Sequence, residues 1–229
     1  MELVTSVVAW FTDPANWSGS NGVPTRIWEH VVLSGIAMAI ALAIGLPAGL
    51  AIGHTGRWVR VSTAVAGLGR AVPSYALLIL SVGYLGLGFA SALPALVVLA
   101  VPPILVNTST AIRDVDRDIV EAGRAMGMSG VTVLREVEIP PALPVMAAGV
   151  RVATLQVIAT ATLAALVAGG GLGRYIVDGF ALQEYERMVA GALLVGGLAL
   201  LTERAFTIIA RRRGEPRNVA WTPAIGGAE

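Results

Sequence analysis

Charge-free stretches long enough to cross a bilayer alternate along this chain with short segments that carry arginine. Residues 31–53 hold no charge, about 23 residues and enough for a hydrocarbon core of ~30 Å. Pro47 lies inside that stretch, which membrane helices tolerate because neighbouring helices satisfy the freed backbone groups. Residues 71–112 form a second uncharged tract of about 42 residues, too long for one crossing and right for two. The run Gly83-Tyr84-Leu85-Gly86-Leu87-Gly88 is its natural break. Spans two and three are therefore expected at about 65–85, kinked near Pro73, and at about 93–111. A fourth is expected at about 142–167, ended by Gly169-Gly170-Gly171-Leu172-Gly173. A fifth, at about 188–209, is cut by Glu203 and Arg204 to about 15 uncharged residues, which tilt or a projecting cytoplasmic end would accommodate. The pattern predicts an all-α membrane protein with five transmembrane helices, six being the alternative count.

Arginine placement orients these spans. With five crossings, 54–60, 113–140 and 211–217 fall on one side, with Arg57, Arg60, Arg113, Arg117, Arg124, Arg135, Arg211, Arg212, Arg213 and Arg217. The other side has Arg26, Arg174 and Arg187. Ten arginines against three put the first side in the cytoplasm, the N-terminus outside and the 211–229 tail inside. Met1 to Asn21 carries no basic residue, so no cleaved secretory signal is expected. Trp10, Phe11, Trp17 and Trp28 in and beside this extracytoplasmic segment (1–26) read either as interfacial anchors or as part of a short helix packed on the fold.

Composition narrows the classes. Charged residues make up 14% of the chain against roughly 25% for soluble domains. The net charge of +1 says nothing about nucleic acid, and without a basic stripe to bind it no nucleic-acid partner is expected. Cys is absent, and His30 and His54 stand apart, which leaves no thiolate or zinc chemistry.

The longest charged interruption, 113–144, has to face water. Asp118 followed by Glu121 fits a capping box, so a helix is expected to start at Ile119. Ile119, Ala122, Gly123 and Met126 then share one face of small and apolar side chains, and Gly127 ends it. Ser129 can cap a second short helix, about 131–136, stopping before Pro140-Pro141. On the first helix Ala122 and Gly123 would let a partner backbone approach, with Glu121 and Arg124 at the rim. Asp114, Asp116, Asp118 and Glu121 lack the glycine and terminal glutamate of a calcium loop, and the interleaved arginines balance them.

Glu121-Ala122-Gly123, then Gly127, then Val137-Glu138-Ile139-Pro140 resembles, in order and spacing, the EAA signature of ABC-importer permeases. The chain is similar to the type I, binding-protein-dependent (MetI-like) permeases over about 27–210. It resembles the osmoprotectant subgroup for glycine betaine, carnitine and choline in Val72-Pro73-Ser74-Tyr75-Ala76-Leu77-Leu78, Ala148-Gly149-Val150-Arg151 and Ala161-Thr162-Leu163-Ala164-Ala165-Leu166. Gly123 stands where the class pattern has Ala. The resemblance implies that 113–141 is the cytoplasmic coupling region docking on an ATPase. It also implies a dimer of permeases (this chain twice, or with a sister permease), two ATPase subunits and an extracytoplasmic binding protein. Since the chain ends soon after Arg217, that binding protein is expected to be separate. No G-x-x-x-x-G-K-[ST] occurs, so the chain itself is expected to be no enzyme and to bind no cofactor, with ATP and magnesium on the partner.

Candidate pathway positions are Pro73, Ser74 and Tyr75, and on span four Arg151, Gln156 and Thr160. The preferred reading of Arg151 starts span four in the cytoplasm and lets the side chain reach the interface; the alternative gives it a cavity or a partner. A permease for another small solute and a stand-alone secondary carrier are the competing functions. The carrier would need an intramembrane ion-coupling site, and no acidic residue lies within the well-defined spans.

Overall fold

The computed structural model describes residues 2–212. The tail expected at 211–229 lies, from 213 onward, outside them. All regular secondary structure among the described residues is helical, without strands. Helix α1 (Glu2–Thr12) and a 3-10 turn (Pro14–Trp17) precede α2 (Val23–Thr55). Then come α3 (Val59–Ala71), α4 (Ser74–Leu85) and α5 (Phe89–Arg113). Helices α6 (Arg117–Ala125) and α7 (Gly130–Thr132) follow. From α7 the chain runs through a π-helical turn (Val133–Glu138) into α8 (Ile139–Thr160) and a 3-10 segment (Ala161–Val167). Helices α9 (Gly173–Leu182) and α10 (Tyr185–Arg212) complete it.

Helix α5 is the axis of the bundle. Side chains from α2, α5 and α8, among them Leu33, Ala37, Ala41, Ala92, Ala100, Ile104, Ala153 and Val157, form one buried core. Glycines set how closely these helices meet. Gly45, Gly49 and Gly53 recur every fourth residue on α2, one above another. A Cβ on Gly49 would sit 2.7 Å from the Thr108 Cβ, and one on Gly53 would sit 2.7 Å from the Ile112 Cβ. Across α5, a Cβ on Gly149 of α8 would sit 2.5 Å from the Asn107 Cβ. Lipid tails are as apolar as leucine, so close backbone packing of this kind is a main source of helix association in membranes.

Four segments are long and apolar enough to span: Val23–Thr55, Phe89–Arg113, Gly130–Val167 and Tyr185–Arg211. The second expected span differs. In place of one kinked helix there are two, α3 and α4, both packed on α5. Pro73 lacks an N–H and disfavours helical backbone at Val72, so the helix ends and restarts at Ser74. At 1.5 Å per residue the two pieces measure about 20 and 18 Å, and they cross only in series.

The second correction concerns the prolines after the charged island. The helix expected over 131–136 does not stop at Pro140-Pro141; it continues as the π turn and then as α8. The Ile139 N–H bonds the Leu134 carbonyl, an i→i+5 step that loosens the helix just ahead of the prolines. Their fixed φ then suits the first turn of the renewed α-helical register.

At the other end, the glycine cluster after 167 cradles Glu29 of α2. The Gly171 N–H donates to Glu29 Oε2 at 2.7 Å, and a Cβ on Gly170 would sit 2.7 Å from the same oxygen. Both glycines have φ near +80°, a conformation that other residues adopt only under strain. Helix α1 packs against α10, and its Trp10 lies edge-on to Tyr175 of α9 at 5.3 Å, while Trp17 and Trp28 remain exposed. Of the two readings of the N-terminal aromatics, packing describes Trp10. Burial pushes the Tyr175 phenol up from its ordinary value, and its hydroxyl donates to the Asn21 carbonyl at 2.6 Å.

Candidate functional site

The charged island folds into a knob of two helical pieces below the bundle. Asp116 caps α6, its Oδ1 accepting from the Asp118 N–H at 2.9 Å. The expected cap was Asp118, with the helix starting at Ile119; the helix instead begins at Arg117. Both aspartates can cap. With α5 running to Arg113, only three residues remain for the turn, and the upstream cap closes it.

Gly127 ends α6 with φ +85°. Its N–H bonds the Arg124 carbonyl at 3.0 Å and the Met128 N–H bonds the Gly123 carbonyl at 3.2 Å, the paired bonds of a Schellman cap. Ser129 then caps α7 as expected, accepting from the Thr132 N–H at 3.2 Å. A small core of Ala111, Ile112, Ala142 and Met146 supports the knob from above.

Ala122 and Gly123 of α6 point in different directions. Ile119, Glu121, Ala122, Arg124 and Met126 are exposed, whereas Val120 and Gly123 are buried. Gly123 therefore does not share the outward face expected for it. A Cβ there would meet the Met128 sulfur at 3.2 Å, Val137 Cγ2 at 3.6 Å and Val133 Cγ2 at 3.8 Å. Its smallness lets α6 lie on the helix that follows. Gly123→Ala needs only a slight shift of the flexible Met128 side chain and is expected to change stability by less than ~1 kcal/mol. Gly123→Leu should pry the two pieces apart. Thermal melting of the purified protein checks both, and equal melting temperatures for Leu and Ala variants would refute this packing.

The pathway candidates fall in two groups. Pro73 is the break itself, and Ser74 and Tyr75 open α4, with the Tyr75 ring 54% exposed. Arg151, Gln156 and Thr160 lie half-buried along α8. The structure gives Arg151 a partner: its guanidinium forms a two-pronged ion pair with Glu203 of α10, Nε to Oε2 at 2.7 Å and Nη2 to Oε1. Sequence reasoning treated Glu203 only as a shortening of span five. A charged residue within an otherwise apolar tract was itself the signal for a partner. Beside this pair, Ser34, Met38, Val150, Thr154, Thr202 and Phe206 line a cleft of about 330 Å³ between α2, α8 and α10.

A further pair was missed altogether. Glu138, 1% exposed, makes a 2.6 Å hydrogen bond with His54 Nδ1. The residues are 84 positions apart, and nothing local in either segment announces the contact.

Comparison with known proteins agrees with this architecture. Residues 41–215 match the family described as binding-protein-dependent transport system inner membrane component. The carnitine transport permease protein OpuCB of Listeria monocytogenes is 36% identical, over 79% of this chain and 83% of its own. The glycine betaine/carnitine/choline transport system permease protein OpuCB of Bacillus subtilis is 35% identical, over 80% and 85%. The choline transport system permease protein OpuBB of the same species is 34% identical, over 82% and 86%. Among solved structures, an inward-facing MetNI methionine ABC transporter superposes with a TM-score of 0.74 at 23% identity, over 88% of this chain and 98% of that one, a likeness of fold. With the helical bundle, the charged knob and these matches together, the chain belongs to the binding-protein-dependent transport system inner membrane component family.

Proposed function

We propose that this chain is the membrane-spanning permease subunit of an ATP-binding-cassette importer for a small quaternary-ammonium osmoprotectant such as glycine betaine, carnitine or choline. Relatives at about one-third identity over most of the chain are named for those solutes. The observation that carries the mechanistic reading is the knob: a capped helix presenting Ala122 outward, flanked by Ile119, Met126, Glu121 and Arg124. A small residue at the centre of an exposed apolar strip suits close approach by another protein, with charges at the rim. We assign that partner as a cytoplasmic ATPase, two copies serving two permease subunits, with an extracytoplasmic binding protein on the opposite face. The partner hydrolyses ATP and this chain does not. Closure of the ATPases would drive the knobs and rock the spans between inward-facing and outward-facing forms as rigid bodies.

Ala122→Arg is the direct test, since it adds a long charged side chain to the exposed strip without touching the buried core. The variant should insert and melt as the parent does yet fail to retain the ATPase on co-purification, a loss of ~100-fold in affinity or more. Full retention of the ATPase would reject this docking face. Orientation has its own check. A reporter fused after Arg213 should report cytoplasm, and an external signal would reject the proposed topology.

A further inference from the structure

The joint between knob and bundle is mechanically soft. The turn Val133–Glu138 is π-wound, and Pro140, Pro141 and Pro144 follow it. Each proline lacks the N–H that would otherwise stiffen the helix. Force passed from the knob along α8 alone would bend this stretch before it reached the core.

A second connection crosses the same joint. Glu138, the last residue of the π turn, is bonded to His54 one residue beyond Gly53, where α2 lies locked against Ile112 of α5. The other ring nitrogen of His54, Nε2, lies 3.4 Å from where a Cβ on Gly130 would be, at the first residue of α7. One imidazole thus bonds the last residue of the 130–138 segment, lies beside its first, and is seated where glycines bring α2 close against α5. A carboxylate buried to this degree is held only with a partner, so the bond is a fixed part of the fold.

We propose that His54 and Glu138 are positioning residues for energy coupling. Their bond ties the base of α8 to the α2–α5 pair, so that the knob moves all three helices as one body past the soft turn. The proposal rests on the reading of the knob as the ATPase-docking segment. Without the bond the ATPase still docks and hydrolyses ATP, but the stroke is spent bending the π turn.

The experiment uses the full complex of permease, ATPase and binding protein in liposomes, with whichever of glycine betaine, carnitine or choline the parent complex accumulates. Solute taken up per ATP hydrolysed is measured alongside ATPase co-purification. His54→Leu and Glu138→Met should keep the ATPase bound and basal hydrolysis within about twofold, while uptake per ATP falls about tenfold. The double variant should fall no further than either single one, because both remove the same bond. His54→Asn, whose amide can donate from the place of Nδ1, should recover most of the loss. Unchanged uptake per ATP in His54→Leu would overturn the proposal. So would failure of His54→Asn to rescue, or loss of the ATPase from the single variants, since each would make the pair mere structural support. Failure of Ala122→Arg to release the ATPase, by contrast, would sink the docking assignment and leave the His54–Glu138 result readable as it stands.

Discussion

Replacing Gly49 with leucine is expected to abolish the folded protein. A Cβ at that position would lie 2.7 Å from the Thr108 Cβ and 2.9 Å from the Leu105 carbonyl oxygen, closer than such atoms approach. Neither neighbour can retreat, since one is a Cβ bound directly to the α5 backbone and the other is backbone itself. Leucine must therefore push α2 off α5, disturbing the contact that Gly45 and Gly53 extend above and below. Overpacking of this kind costs ~3 kcal/mol or more, a large part of the 5–15 kcal/mol that typically holds a domain together. Gly35 on the same helix has nothing within 4 Å and serves as the control. Size-exclusion profiles and melting in detergent should show Gly49→Leu aggregated or absent and Gly35→Leu close to the parent. A Gly49→Leu protein that elutes and melts like the parent would mean that α2 and α5 do not meet along this stripe.

The second large effect concerns Arg151. Its two-pronged bond to Glu203 pairs a charge of α8 with one of α10 across two largely apolar helices. Arg151→Leu leaves the carboxylate alone. Insertion scales put the cost of a lone charge at the centre of a span at ~2.5–3.5 kcal/mol, an upper bound for a partly exposed side chain. Removing both members, Arg151→Leu with Glu203→Leu, leaves no unpaired charge, and replacing a half-buried ion pair by apolar groups is often close to neutral. The single variant should thus melt well below the parent and the double variant should recover most of the difference. A double variant as unstable as the single one would show that the two side chains act independently.

Both predictions concern positions whose importance the sequence marked only in part. Gly45, Gly49 and Gly53 stand at four-residue intervals, legible as one face of a helix. Which helix meets that face is not legible, because nothing in 31–53 refers to 101–112. Pro73 announced a disturbance, and a kink and a break look alike until neighbours on α5 support two separate pieces. Asp116 and Asp118 were equivalent caps by chemistry, and the length of turn left after α5 chose between them. Gly123 was grouped with Ala122 because both are small and adjacent in pattern. Only the position of Met128, Val133 and Val137 separates the one that packs inward from the one that faces out.

By itself the sequence determined the membrane class, the approximate bounds of the long apolar helices, and the helix ends at Gly127 and Ser129. Those features depend on contiguous stretches: an apolar length to match a bilayer, a cap to satisfy the backbone groups beside it. The tertiary structure alone decided the pairings: Gly49 on Thr108, Arg151 with Glu203, His54 with Glu138, and the inward turn of Gly123. They depend on two surfaces brought together from distant parts of the chain. Their energy comes from contact at a few tenths of an ångström, which a one-dimensional pattern does not encode.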